Sequence, residues 1–197
     1  MANPTRLRRF VQAFTRLVSA HGDDEPRIFA DGEPLLHELV AHDDWLPDAF
    51  AQPDPERYRQ YLLWCDPLER FSVVSFVWGP GQQTPIHDHT VWGMVGVLRG
   101  VETCEEFSRE PGTGRLVAGP RHPLPAGAID RVSPRVGDIH RVSNALPDRP
   151  SVSIHVYGAN IGAVRRHVYD PASGGTRPFV SGYSLAVLPN LWDRSAE

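Results

Sequence analysis

The sequence contains no lysine: all 20 of its basic residues are arginine. That absence excludes Schiff-base chemistry on carbonyl substrates or pyridoxal phosphate, a lysine general base, and the lysine of a phosphate-binding loop. We read the bias as GC-rich coding composition, so it serves for exclusion alone. Cysteine is nearly as scarce. Cys65 and Cys104 lie far apart without a partner motif, which argues against a disulfide framework or a zinc knuckle and leaves two partly buried free thiols. No run of about 18 apolar residues occurs, and the start, Met1 to Arg6, lacks an apolar signal region. Neither membrane insertion nor secretion is supported, and the chain reads as cytoplasmic. A cationic face is missing as well. The formal charge is -4 with both signs intermixed, which disfavours nucleic acid and acidic lipid and points to a small-molecule partner. The sequence assigns no oligomeric state.

The 197 residues suit a single domain, 1–197, with a substantial core. The 17 glycines and 19 prolines fall short of the roughly 25–30% typical of low-complexity disorder but allow many turns. Residues 1–69 read as mostly helical. Asn3 and Pro4 suit an N-cap and a first helical position, followed by Leu7, Phe10, Val11, Phe14, Leu17 and Val18 at helical spacing up to Gly22. A second helix is predicted from near Asp31, with Leu35, Leu36, Leu39 and Val40 on one face, and a third from about Pro55 through Tyr58, Tyr61 and Leu62. From Arg70 the texture changes to short Val- and Ile-rich runs bounded by glycine or proline. Strands are predicted at Phe71–Trp78, Trp92–Arg99, Thr103–Phe107, Arg115–Val117, Ile129–Val132, His140–Ser143, Ser151–Tyr157, Arg166–Tyr169 and Tyr183–Leu188. Many short strands favour a sandwich or closed barrel over 70–197.

Of nine histidines, His21, His37, His42 and His122 read as solvated residues of helix ends or loops. His87 and His89 flank Asp88, so in an extended segment both rings project from one face and can share one ion. His140, at the start of a predicted strand, is the candidate third ligand.

The run Gly81, five residues, His87-x-His89, three residues, Gly93, six residues, Gly100 resembles the first cupin signature, without the acidic residue expected at Gly93. Gly137-x-x-His140-x-x-x-Asn144, with Pro134 upstream, resembles the second. The likeness implies a mainly β fold, a small antiparallel jelly-roll barrel or double-stranded β-helix with a helical N-terminal portion, and a metal held by His87, His89 and His140. Metal sites of three neutral histidines without a glutamate are the pattern of the cysteine dioxygenase family. Trp78-Gly79-x-Gly81, the block Ile86 to Thr90, Gly100 and Ser153-x-His155-x-Tyr157 resemble that family from about Tyr58 to Tyr157.

The resemblance implies iron(II) as cofactor and a small thiol carboxylate plus O2 as substrates, giving a sulfinate. Tyr157, His155 and Ser153 would assist the oxygen chemistry. Two departures point to the bacterial branch acting on 3-mercaptopropionate rather than L-cysteine. Gly93 stands where the mammalian cysteine enzyme has a crosslinked cysteine, and Gln60 where it has a carboxylate-binding arginine. In the bacterial branch an arginine nine residues beyond the tyrosine takes the carboxylate, which here is Arg166; a one-residue register error would exchange it for Arg165. Gln60, on the third predicted helix, is expected to donate to the same carboxylate, and Trp78 and Trp92 to wall the pocket or fill the core. Two rival readings are a cupin enzyme using another metal and a non-catalytic ligand-binding cupin. A binding barrel has no need of the Ser153-x-His155-x-Tyr157 line.

Overall fold

The computed structural model describes residues 4–184. Two helices come first, α1 (Thr5–His21) and α2 (Glu25–Val40). Phe10, Val11, Phe14, Leu17 and Val18 form the buried stripe of α1, as their spacing predicts. Asn3, the expected cap, lies outside the described residues. The second helix begins six residues earlier than predicted. Asp24 accepts the Arg27 N–H and a proline follows within the first turn, start signals that the leucine stripe of its second half obscured.

The expected third helix is not formed. Residues Arg59–Cys65 are strand β1, antiparallel to β2 (Ser72–Trp78) with Arg59 opposite Val77 and Cys65 opposite Ser72. Apolar residues sit on both faces of this segment, Tyr61 and Leu63 in the core under the helices and Tyr58 and Leu62 in the opposite cluster, so Tyr58, Tyr61 and Leu62 mimic helical spacing, and a bulge between Leu62 and Trp64 then breaks the two-residue alternation. The helical portion therefore ends well before residue 69, and Gln60 sits on a strand.

The remaining strands are β3 (Ile86–His87), β4 (Gly93–Arg99), β5 (Val101–Arg109), β6 (Leu116–Pro125), β7 (Ile129–Val132), β8 (Ile139–Asn144), β9 (Ser151–Tyr157), β10 (Arg166–Tyr169) and β11 (Thr176–Phe179). They build two antiparallel sheets, ordered β1-β2-β9-β4-β7 and β11-β10-β3-β8-β5-β6. This is the double-stranded β-helix of the cupin fold. Of the strand predicted at Tyr183–Leu188, Tyr183 and Ser184 are not in strand and the rest lies outside the described residues. His122 falls within β6, not in a loop.

Strand β9 shows how the fold positions a site. All seven residues are buried because the strand is central in its sheet and covered on both faces. Val152, Ile154 and Val156 join the core under α1 and α2, each contributing about 1.5–3 kcal/mol by burial. The alternate residues Ser151, Ser153, His155 and Tyr157 therefore face the barrel interior. A solvated polar face, the other reading of that alternation, is ruled out.

Candidate metal centre

Strand pairing assembles the histidines. His87 on β3 lies directly opposite His140 on β8, so their side chains share a face, and His89 follows just beyond β3. The three ring centroids are 4.8, 4.9 and 4.8 Å apart. One ring nitrogen from each falls within 4.8 Å of the others. All three rings are buried.

Each ring also has a partner at Nδ1. His87 Nδ1 faces the Pro85 carbonyl at 3.1 Å, His89 Nδ1 the Asp138 carboxylate at 3.1 Å, and His140 Nδ1 the Cys104 sulfur at 3.5 Å. Nε2 is thus the nitrogen left on each ring for an ion, and that of His89 is buried with no partner at all. Outer hydrogen bonds of this kind fix tautomer and orientation in histidine metal sites. Burial holds the His87 and His89 pKa well below the usual histidine range, and lowers that of His140 to about 4. Neutral imidazoles are what a divalent metal requires.

Two aspartates that the sequence did not single out hold this arrangement. Asp138 Oδ1 accepts the His89 N–H at 2.9 Å and Oδ2 the Thr90 N–H at 2.9 Å, clamping Thr90 at a φ of +60°. That conformation is strained for a β-branched residue. Asp88, buried between the two histidines, accepts the His167 N–H at 2.7 Å and the Tyr169 hydroxyl at 2.7 Å. It ties the ligand segment to β10.

Beside the histidines runs the interior face of β9. Ser153 Oγ lies 2.8 Å from His155 Nε2, and His155 Nδ1 lies 2.8 Å from the Tyr157 hydroxyl. Trp78 Nε1 donates to Ser153 Oγ at 3.3 Å. A neutral imidazole has one donor and one acceptor, so the line carries a proton in one direction at a time. Burial depresses the His155 pKa and raises that of Tyr157, keeping both neutral. Tyr157 stacks against His89 with centroids 5.4 Å apart, which brings the phenol to the metal side. No space is left beside it: a Cβ on Gly93 would approach Tyr157 Cδ1 to 2.7 Å.

Arg166 on β10 points into the same cavity and is 3% exposed, whereas Arg165 is exposed. Its guanidinium lies over the Phe179 ring at 4.7 Å and donates to Ser181 Oγ at 2.6 Å, but Nε is buried without a partner. Among the described residues no carboxylate forms an ion pair with it. Gln60 lines the cavity too, but its amide nitrogen donates to Ser181 Oγ and the Gly182 carbonyl. Both hydrogens are engaged in holding this wall, which leaves none for the carboxylate contact expected from the sequence. Trp78 lines the cavity, while Trp92 packs against Phe14 and Phe29 of the helices. Tyr58, Phe76, Thr84, Pro85 and Val142 also line it, and among the described residues no Asp or Glu does. A roomier apolar groove between α1 and β1, lined by Leu7, Val11, Leu63 and Trp64 among others, holds no His, Cys, Asp or Glu among the described residues, and the hydroxyl of its Thr15 donates to the Val11 carbonyl.

Residues 35–170, more than half of the chain, match the family model described as cysteine dioxygenase type I. The chain belongs to the cysteine dioxygenase type I family. It is similar to cysteine dioxygenase type 1 of Rattus norvegicus, 25% identical over 172 residues that cover 76% of this chain and 82% of the rat protein. The Homo sapiens protein of the same name is 25% identical over 199 residues, covering 88% and 96%. A cupin-like protein from Thermotoga maritima superposes over 71% of this chain and 90% of its own, with 19% identity and a TM-score of 0.44, too loosely to bear on function. As a member of the cysteine dioxygenase family the chain has a histidine group able to bind a metal. Among the described residues no helix is long and apolar enough to cross a membrane.

Proposed function

We propose that the protein is a mononuclear non-haem iron(II) thiol dioxygenase, in which His87, His89 and His140 hold the metal. The observation that carries the reading is one cavity lined by His87, His140, His155, Tyr157 and a buried Arg166 guanidinium that lacks a carboxylate partner among the described residues, with His89 completing the histidine group against the Tyr157 ring and Ser153 holding His155 from behind. Bound iron supplies the redox chemistry with O2 and favours the thiolate form of the substrate.

The protein's own groups do the rest. Arg166 offers a planar fork that takes a carboxylate bidentately, and a substrate anchored there places its sulfur toward the histidines. Tyr157 presents a neutral hydroxyl beside His89, held by His155, which is in turn held by Ser153. That hydroxyl donates or receives a hydrogen bond as charge shifts onto oxygen. Gln60 acts on the substrate indirectly, by fixing Ser181 and so the Arg166 guanidinium.

The substrate favoured is 3-mercaptopropionate rather than L-cysteine. Among the described residues the cavity lining holds an arginine for a carboxylate but no acidic residue for an ammonium group, and an ammonium transferred there without an ionic partner pays a desolvation penalty. The test is steady-state kinetics of the iron(II)-loaded protein with both thiols in parallel. The reading expects a higher kcat/KM for 3-mercaptopropionate. A preference for cysteine would overturn the substrate assignment, and inactivity with both would overturn the function.

A further inference from the structure

A second group of metal-ligand side chains lies on the far side of His140, outside the thiol site. Cys104 on β5 and His122 on β6 are directly opposed in register, so both side chains project to one face. Asp130 reaches the same point from β7 in the other sheet. One ligand atom from each of the three falls within 4.8 Å of the others. His122 Nε2 and Asp130 Oδ2 are 3.5 Å apart, against about 3.4 Å for two such ligands on a tetrahedral zinc. Closing the sulfur onto the same centre takes side-chain movement of about 1 Å, given thiolate-to-ligand separations of about 3.5 Å in such sites.

The surroundings favour an ion over a plain hydrogen-bond cluster. His122 Nδ1 lies 3.9 Å from Glu106 Oε1, beyond hydrogen-bond distance, and Nε2 faces Asp130. Cys104 is 1% exposed, but the His122 and Asp130 side chains are 35% and 22% exposed, so an ion has an entry path and room for a water as fourth ligand. One thiolate, one imidazole and one carboxylate suit a borderline-soft divalent ion and not magnesium or calcium.

We propose that Cys104, His122 and Asp130 form a second cation site that takes a divalent ion of the zinc class. Binding exchanges the thiol proton, released to solvent, for a metal–sulfur bond, with no change of oxidation state. The ion joins β6 to β7, the edge strands of the two sheets, and so closes the seam between them. It also sits next to the iron ligand His140, whose Nδ1 is 3.5 Å from the Cys104 sulfur.

Cobalt(II) distinguishes the two sites, because only this one contains sulfur. The chelator-stripped, reduced full-length protein, titrated anaerobically with Co2+ alone, is expected to develop a near-ultraviolet thiolate-to-cobalt charge-transfer band with one equivalent, apart from a sulfur-free equivalent at the three histidines. Cys104→Ser and His122→Ala each abolish the band, and His122→Ala, which leaves the Cys104 contact to His140 in place, retains the sulfur-free equivalent. His122 is part-exposed, so its variant stays folded should the buried Cys104 variant not. Absence of the band from the parent protein overturns the proposal, as does a band that survives Cys104→Ser or is undiminished in His122→Ala. A band with no sulfur-free equivalent upholds this site and contradicts the histidine site instead.

Discussion

Replacing Arg166 by methionine removes the guanidinium while keeping much of the stem's bulk. In the free protein that group is 3% exposed, has a buried Nε without a partner and lacks an ion-pair partner among the described residues. An unsatisfied buried donor on a charged group costs about 1–3 kcal/mol, so Arg166→Met should raise stability. At about 2–4 °C per kcal/mol for a chain of this size, the melting temperature should rise by a few degrees. Function moves the other way. Truncating one partner of a buried charge pair costs about 2–5 kcal/mol, equivalent to a loss of about 30- to 5,000-fold in kcat/KM at 1.36 kcal/mol per decade. The assay is O2 uptake with 3-mercaptopropionate and, in parallel, with 2-mercaptoethanol, which has no carboxylate. The loss should be confined to the acid, with iron content unchanged, and Arg165→Met should leave the kinetics alone. Equal losses with both thiols, or unchanged kinetics with a lower melting temperature, would show that Arg166 is a structural residue and not the anchor.

Tyr157→Phe deletes one hydroxyl 2.8 Å from His155; kcat should fall by about 10²- to 10⁴-fold with KM little changed, and an unaltered kcat would remove the tyrosine from the chemistry. Gly93→Ala forces a Cβ to 2.7 Å from the Tyr157 ring; denaturant unfolding should show a loss of about 1–3 kcal/mol, with lower activity as the ring shifts, and wild-type behaviour would mean that the contact relaxes freely. Glu102 is fully buried and desolvation pushes its pKa up to about 8. Neither carboxyl oxygen has a partner in hydrogen-bond geometry, although Ser153, Ser151 and Trp78 lie close enough to lower the value partly. The folded protein keeps a proton that the unfolded chain releases, so stability is full below the ordinary carboxylate pKa and falls as pH rises toward about 8, by a few kcal/mol in all. Melting temperatures of Glu102→Gln across that range should show a flatter decline than the parent, and parallel curves would refute the assignment.

The histidine group was legible in part because half of it is local, while His140 was reached only through its place at the start of a predicted strand and the cupin resemblance. His87 and His89 need only an extended backbone to share a face, and the glycines and the proline around them fix the turns. The Ser153, His155 and Tyr157 alternation was legible for the same reason, though which face looks inward depends on the helices covering Val152, Ile154 and Val156. What could not be read arises from pairing between distant segments. Nothing near Asp138 in sequence says that it clamps Thr90, 48 residues away. The β1 strand was misread because both of its faces carry apolar residues, and Gln60 was placed on a helix with it. The commitment of its amide to Ser181 and Gly182 depends on contacts over 120 residues away in sequence. Cys104, His122 and Asp130 come from three strands with no shared motif, so sequence spacing could not show that the barrel seam brings them together.

The central claim is that this cavity adds both atoms of one O2 to the sulfur of a thiol acid. Its most direct test is mass spectrometry of the product formed by the iron(II)-loaded protein from 3-mercaptopropionate under isotopically heavy dioxygen in ordinary water. The account predicts a sulfinate carrying two heavy oxygens at sulfur, formed in one-to-one proportion to the O2 consumed. A product with one heavy oxygen and one from water, or a disulfide in place of the sulfinate, would contradict it.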